Sequence, residues 1–425
     1  MLFKKKHPWY RARGYIHFDE PISFKKAQRI VTSPKKVAKH AFYPLINYSV
    51  NSKKIKQDKK TRHIEVKVKE RPISYSSHVD SHIYSYYTNL LSKLYEEQLE
   101  QRNLEENVLA FRSLGKSNID FAYEAFQEIK KFGKCSAVAL DLSKFFDTLD
   151  HGILKREWSK LIQKKQLPPD HYNLFKSLTK FAVVDRQELY ELLGVSVHNP
   201  RNGKRRLCEP AEFRNNVRKS GLIIQNKGKE GIPQGSPISA LLSNVYMIEF
   251  DDKMKSYVDS IGGKYYRYCD DMLFIVPQSL KNKVAGIAAQ EIGKLKVRLN
   301  IDKTERRTFR VRGGKLVADT PLQYLGFLFD GENIYLRSTS LARYSERMRK
   351  GVRLAKATMR KRNSLRVQRG ESPKPLFKNK LYRKYSHLGS MNFITYGMRA
   401  AETMQSKTIK KQLKPLWDRL QEEMK

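Results

Sequence analysis

Between Lys264 and Val276 the chain reads KYYRYCDDMLFIV, two arms of strand-forming residues with adjacent acids, Asp270 and Asp271, between them. Aromatic and β-branched residues favour a pleated, half-buried surface, and two such arms around a short polar tip form a hairpin. The arms are too apolar to lie in water, so the hairpin belongs to a core and carries two carboxylates to its edge. Adjacent carboxylates repel, and keeping both ionised calls for a cation. An isolated Asp-Asp pair is more often a surface turn. Here the apolar arms and a third acid weigh against that reading. The third acid is Asp141, which ends the apolar run CSAVAL beginning at Cys135. A lone buried charge there would be costly. Mg²⁺ takes oxygen ligands and shares them with substrate phosphates, so Asp141, Asp270 and Asp271 together suit a two-ion site for nucleotide chemistry.

Neighbouring segments give these acids a setting. Asp150 is placed to cap a helix whose apolar positions Ile153, Leu154, Trp158, Leu161 and Ile162 follow at helical spacing, so Asp141 sits at a strand end before a helix. In GIPQGSPISALLSNVYMIEFD, Ser236 is expected to cap a second helix with Pro237 in its first turn and Ile238, Leu241, Leu242, Val245 and Ile248 on one face. A further helical region is expected from Ser81 to Asn103, after a Lys-rich stretch at Lys53 to Lys60. The basic, Gly- and Pro-containing insert from Asn199 to Lys229 reads as loop.

The charge balance names the kind of partner. Over 425 residues, 84 Lys and Arg stand against 43 Asp and Glu, a net +41 that calls for a polyanion. A bilayer surface would need a spanning segment or a strongly amphipathic basic helix, and apolar stretches such as Met272 to Val276 are far short of the roughly 20 residues a spanning helix needs. No membrane role is expected. The basic N-terminus is not followed by the apolar stretch of a secretory signal, and Cys135, Cys208 and Cys269 are too isolated for a zinc site or a disulfide framework. A cytoplasmic setting is expected. From residue 341 to 384, 16 Lys or Arg face two Glu, which makes this tail the most basic part of the chain.

The strings LDLSKFFDTLDH, GIPQGSPISALLSN, YCDD, LNIDKTE and LQYLGF resemble, in order, the five palm motifs of reverse transcriptases, and they span Cys135 to Phe329. The resemblance implies an α+β right-hand polymerase. Fingers and palm, the palm an antiparallel sheet with helices, would occupy residues 1–335, and a basic helical thumb 336–425. It implies that Asp141, Asp270 and Asp271 hold two Mg²⁺ ions, with the Leu142 carbonyl as a further ligand. One ion would activate a primer hydroxyl and the other hold the triphosphate. Phe146 matches the aromatic residue that excludes a 2′-hydroxyl, and Gln234 with Gly235 matches the loop lying against the templating base pair. Lys303 matches a lysine that protonates the leaving pyrophosphate, and Leu325 with Gly326 the primer-gripping turn. Upstream, VKVKERPIS resembles the finger strand, which makes Lys69 and Arg71 candidates to grip the triphosphate. The basic tail would then hold the template and product duplex by its phosphates.

The sequence ends at Lys425 without an acidic cluster for a ribonuclease H or a Cys/His endonuclease module, and it lacks the Val-Thr-Gly string of retron thumbs. HPWYRARGYIHF and GSMNFITYGMRA instead look like the compact, defence-associated bacterial reverse transcriptases once filed as unknown groups, several of which copy a neighbouring non-coding RNA. That likeness implies a structured non-coding RNA as template, cDNA as product, dNTPs as substrates and a part in antiphage defence. A short maturase of the group II intron type, an untemplated or protein-primed nucleotide transferase, and a non-enzymatic RNA-binding protein on a decayed palm are the alternatives.

Overall fold

The computed structural model describes residues 7–57 and 64–425, with side chains described outside residues 52–67, Lys69 and Asp302. Part of the Lys53 to Lys60 stretch therefore lies outside the described residues.

The strand Cys135–Ser143 lies at the centre of an antiparallel sheet. On one side it pairs with Asp271–Val276, which pairs in turn with Lys264–Tyr268. On the other it pairs with Glu305–Arg312, followed by Lys315–Ala318, while the short strand Arg298–Leu299 joins its end. Successive side chains of a strand point to opposite faces, and the sequence uses both. Val138, Leu140 and Leu142 enter one core with Met272, Phe274 and Val276. Cys135 and Ala137 enter another with Leu273 and Ile275. By the same alternation, Asp141 and Asp271 share the face of the second core.

Helices cover both faces. The first core is completed by His78–Gln101, His151–Leu161, Ser239–Ser260 and Lys281–Lys294. The second is completed by Asn118–Phe132 and a three-stranded antiparallel sheet, Leu322–Tyr324, Phe327–Phe329 and Ile334–Leu336. The chain then continues in helices: Ser338–Gln368, Asn379–Tyr385, Phe393–Thr403 and Lys407–Met424. Their apolar residues enter this second core, which thus runs through residue 335 without a break. The sheets and helices make a mixed α+β architecture.

A separate sheet joins the long hairpin Leu45–Gln57 and Ile64–Tyr75 to Ala182–Asp185 and Ile224–Gln225. It packs on a small core of its own that includes Ile16, Phe18, Leu207, Cys208, Phe213 and Val217. The last four correct the reading of 199–229 as loop. Apolar residues spaced through a basic segment are enough to fold it against a neighbouring sheet.

The region expected from Ser81 to Asn103 is the helix His78–Gln101, and Asp150 caps its helix by accepting from the Ile153 N–H at 2.9 Å. Ser236 does not cap. Its helix begins at Ser239, and the Ser236 hydroxyl is buried without a hydrogen-bond partner. The Ser239 hydroxyl donates to the Pro233 carbonyl at 2.7 Å, which folds the chain back before the helix starts. No helix of the described residues is long and apolar enough to cross a membrane.

Candidate active site

The acidic hairpin turns through two residues, Cys269 and Asp270, flanked by the paired Tyr268 and Asp271. Cys269 has φ 60°, the left-handed conformation that tight hairpins need and that glycine or asparagine usually supplies. A cysteine held there is strained, and such strain persists only where the surroundings over-determine it. Arg267 is part of that support. Its guanidinium is fully buried, grips the Asp251 carboxylate at 2.7 and 2.5 Å, and donates to the Asn244 side chain at 2.9 Å and the Cys269 carbonyl at 3.2 Å. The Tyr265 hydroxyl donates to the same carboxylate at 2.7 Å. Breaking a buried pair of this kind is strongly destabilising, because it leaves a charge uncompensated.

Asp141 and Asp271 are directly opposed in the strand pairing, and the Leu142 N–H donates to the Asp270 carbonyl at 3.1 Å. The three acids therefore meet at one end of the sheet. Burial, then the charges of Asp270 and Asp141, push the Asp271 carboxyl up to about 7, with Lys303 pulling the other way. Lys303 sits on Asp141. Its Nζ lies 2.6 Å from each Asp141 carboxylate oxygen. Asn300 adds a side-chain donor at 3.2 Å to the carboxylate and an N–H at 2.8 Å to the Asp141 carbonyl.

No three His, Cys, Asp or Glu side chains among the described residues converge as a ready-made metal cage. The donor set nevertheless fits a divalent cation. It is all oxygen, it concentrates more negative charge than its single lysine offsets, and Mg²⁺ characteristically draws its remaining ligands from water and substrate phosphates.

Phe145 and Phe146 follow the acid strand on a single 3₁₀ turn, Phe145–Asp147, after Lys144 at φ 47°. Phe145 is buried in the first core. Phe146 is half-buried, and its carbonyl accepts from Ile232 at 2.9 Å, so the Gly231 to Gly235 loop is tied to it. Gln234 and Gly235 are exposed, and the Gln234 carbonyl accepts from the Ser74 N–H at 2.9 Å. Gly235 has φ +112°, and a Cβ there would stand 2.4 Å from the Ser74 carbonyl oxygen. Its bareness thus serves a close approach to the long hairpin.

Arg71 is exposed on that hairpin, opposite Val50, and the Lys69 side chain lies outside the described residues. Leu325 and Gly326, at φ 44° and 97°, form the two-residue turn between Leu322–Tyr324 and Phe327–Phe329. The Asn118 side chain donates to the Leu325 carbonyl at 3.0 Å and to the Tyr396 hydroxyl at 2.9 Å.

Sequence reading missed Arg267, Asn300 and Asn118. An arginine inside an apolar strand arm was a visible signal for the first. Asn300 lies within the LNIDKTE string. Nothing near Asn118 pointed to a residue 207 positions away.

Residues 56–329 match the family model described as reverse transcriptase (RNA-dependent DNA polymerase). No curated protein matches the chain. Among solved structures, apo telomerase from Candida tropicalis is similar at TM-score 0.44 and 10% identity over 96% of this chain and 64% of that one. A form of that telomerase truncated from the C-terminal domain gives 0.40 and 10% over 74% and 60%. The RNA-dependent RNA polymerase of a human picobirnavirus, an insertion-loop deletion mutant, gives 0.39 and 11% over 68% and 45%. The chain spans less than two thirds of the length of each of these structures.

Proposed function

Since the chain belongs to the reverse transcriptase (RNA-dependent DNA polymerase) family, we propose that it copies an RNA template into DNA by nucleotidyl transfer at Asp141, Asp270 and Asp271. The observation that carries this is the direct opposition of Asp141 and Asp271 on paired strands, with Asp270 at the adjoining turn. Two Mg²⁺ ions, held by these carboxylates and the Leu142 carbonyl, would activate the primer hydroxyl and neutralise charge on the triphosphate.

The remaining roles belong to the chain's own side chains. Lys303, the ammonium in contact with Asp141, is the proton donor nearest the acids and serves the leaving pyrophosphate through Nζ. Phe146 stands against the sugar, and Gln234 with Gly235 lies under the templating pair. Lys69 and Arg71 grip the triphosphate. Leu325 and Gly326 hold the primer end, supported by the bond from Asn118.

Residues 1–335 act as fingers and palm and 336–425 as a thumb whose basic helices hold the duplex. The template is a structured non-coding RNA encoded nearby, and the setting is antiphage defence in a bacterial cytoplasm. The HPWYRARGYIHF and GSMNFITYGMRA strings support that finer assignment.

Primer extension on a primed RNA template with dNTPs and Mg²⁺ tests the core of the reading. The wild-type protein extends the primer, and Asp270→Ala and Asp271→Asn fall below detection while still binding the RNA. Extension retained by either variant would overturn the assignment of the acids.

A further inference from the structure

Behind the sheet, on the face away from the acids, lies a second concentration of positive charge. From residue 151 to 180 the chain holds seven Lys or Arg and two acids, Glu157 and Asp170, both buried. The helices His151–Leu161 and Pro169–Thr179 send Leu154, Trp158, Leu174 and Phe175 into the first core. Asp141 and Asp271 lie on the second-core face, so a helix layer about 10 Å thick and the sheet itself stand between them and this surface. On the outer side is a groove of about 420 Å³, lined by Lys155, Arg156, Lys160, Lys164, Lys165 and Gln166 among others.

The cations differ in what holds them. Arg156 and Lys160 reach Glu157 at 2.9 and 3.4 Å, which compensates that buried carboxylate. Among the described residues, Lys155, Lys164, Lys165 and Lys176 have no carboxylate partner. The Lys155 and Lys176 ammonium groups lie 5.3 and 5.7 Å from the centre of the Tyr172 ring, which gathers two like charges at the surface. Lys164 and Lys165 follow the end of His151–Leu161. A helix end carries roughly half a negative charge, less than these two lysines supply. Like charges collected in this way repel one another until a polyanion lies across them.

The side chains narrow the kind of polyanion. An ammonium meets phosphate as a point charge and reads no sequence. Single strands are held largely by stacking their bases on aromatic rings, and the exposed ring of this surface, Tyr172, already has two ammonium groups near it. Paired RNA is recognised by its backbone and shape. We propose that this groove holds a paired segment of RNA by its phosphates, outside the cleft in which copying takes place. The proposal rests on the polymerase reading only for the position of that cleft.

The three native cysteines are buried, so Gln166→Cys gives one exposed thiol for a fluorophore inside the groove. An RNA stem without a primer is titrated into the labelled full chain over a range of salt. Two stems of unrelated sequence give the same saturable signal. Combining Lys155→Gln, Lys164→Gln, Lys165→Gln and Lys176→Gln leaves Arg156 and Lys160 on Glu157. It flattens the slope of log affinity against log salt by about 3–4, roughly 0.9 for each phosphate no longer neutralised. Should the fourfold variant not fold, Lys164→Glu with Lys165→Glu, both outside the helices, weakens the same signal. On a primed template too short to leave the cleft, kcat/KM is the same for wild type and variant.

No signal with either stem, a response to only one sequence, or coincident salt slopes for wild type and variant overturns the proposal. A single strand of the same length that binds with equal affinity assigns the groove to unpaired RNA, and the paired assignment falls. A loss of kcat/KM on the short template in step with the binding loss puts these lysines on the copied duplex, and the separate surface falls. If neither protein extends a primer, the polymerase reading fails while the titration still decides this one.

Discussion

At Asp141 two demands meet. A buried carboxylate needs compensation in the folded protein, and Lys303 and Asn300 supply it at 2.6 and 3.2 Å. In the role proposed for it the carboxylate must also be free to meet a cation, and an ammonium on a flexible stem is a partner that can move away. The neighbouring turn separates two phenylalanines by burial: Phe145 is buried, and Phe146 is left half-exposed beside the loop from Gly231 to Gly235. An apolar pocket alone rejects an added hydroxyl by only about a hundredfold. A rigid ring adds a steric clash. Phe146→Val should therefore raise the kcat/KM ratio of a matched NTP to dNTP by about tenfold or more, measured on one primed RNA template. An unchanged ratio would mean that the ring only packs and the gate lies elsewhere.

Two elements carry loads that their local sequence only partly announces. The loop through Gly235 is pressed onto the long hairpin, so that a methyl group on its Cα would stand 2.4 Å from the Ser74 carbonyl oxygen. Gly235→Ala adds that clash to a φ of +112°, and strain of this kind costs about 1–3 kcal/mol. It should lower the melting temperature and weaken dNTP use together. Gly194→Ala, with φ +59° but open space around it, should affect melting less and leave dNTP use alone. The second element is the helix Ser338–Gln368. Its last buried residue is Val352, so 16 further residues, about 24 Å at 1.5 Å per residue, extend along the surface. Changing the exposed Arg353, Arg360, Lys361 and Arg362 to Gln should leave helix content by circular dichroism intact. The slope of log affinity for RNA against log salt should flatten by about 0.7–0.9 for each phosphate that is no longer neutralised. Coincident salt titrations of the two proteins would remove this helix from the nucleic-acid interface.

At the scale of the whole molecule a central sheet has a core on each face and a separate sheet has a third, and the pH response follows from what was buried to build them. His17, His78 and His82 are buried, and burial is the main cause lowering them to about 3, 4 and 4. The unfolded chain takes up these protons near pH 6.5 while the folded chain refuses them, so their contribution is intact above that pH and is lost as pH falls toward 4. Asp19 and Asp271, raised to about 6 and about 7, act in the opposite direction. Isolating one group is therefore the cleaner measurement. His82→Phe keeps a ring against Tyr10, 4.9 Å away, and removes the titration. Its loss of stability between pH 7 and pH 5, from denaturant unfolding, should be smaller than that of wild type by about 1–2 kcal/mol. Equal losses would show that His82 does not contribute.

Much of the site is legible in the residues alone. The acidic hairpin, the strand that carries Asp141, although it runs on to Ser143, and the Asp150 cap are local, because strand alternation, turn geometry and capping act over a few residues. The expected Ser236 cap failed because the chain folds back through the bond from the Ser239 hydroxyl to the Pro233 carbonyl, and the helix starts at Ser239 instead of Pro237. What only the tertiary structure decided is every pairing across long stretches of chain. The register that sets Asp141 against Asp271, the seating of Lys303 on Asp141, the contact of Gly235 with Ser74 and the bond from Asn118 to Leu325 all belong to this group. Hydrophobic burial drives the collapse but has no direction of its own. Which distant residues meet is decided only when both faces of the sheet are packed at once, because a strand slipped by one residue would turn its acids and its apolar side chains to the wrong faces together.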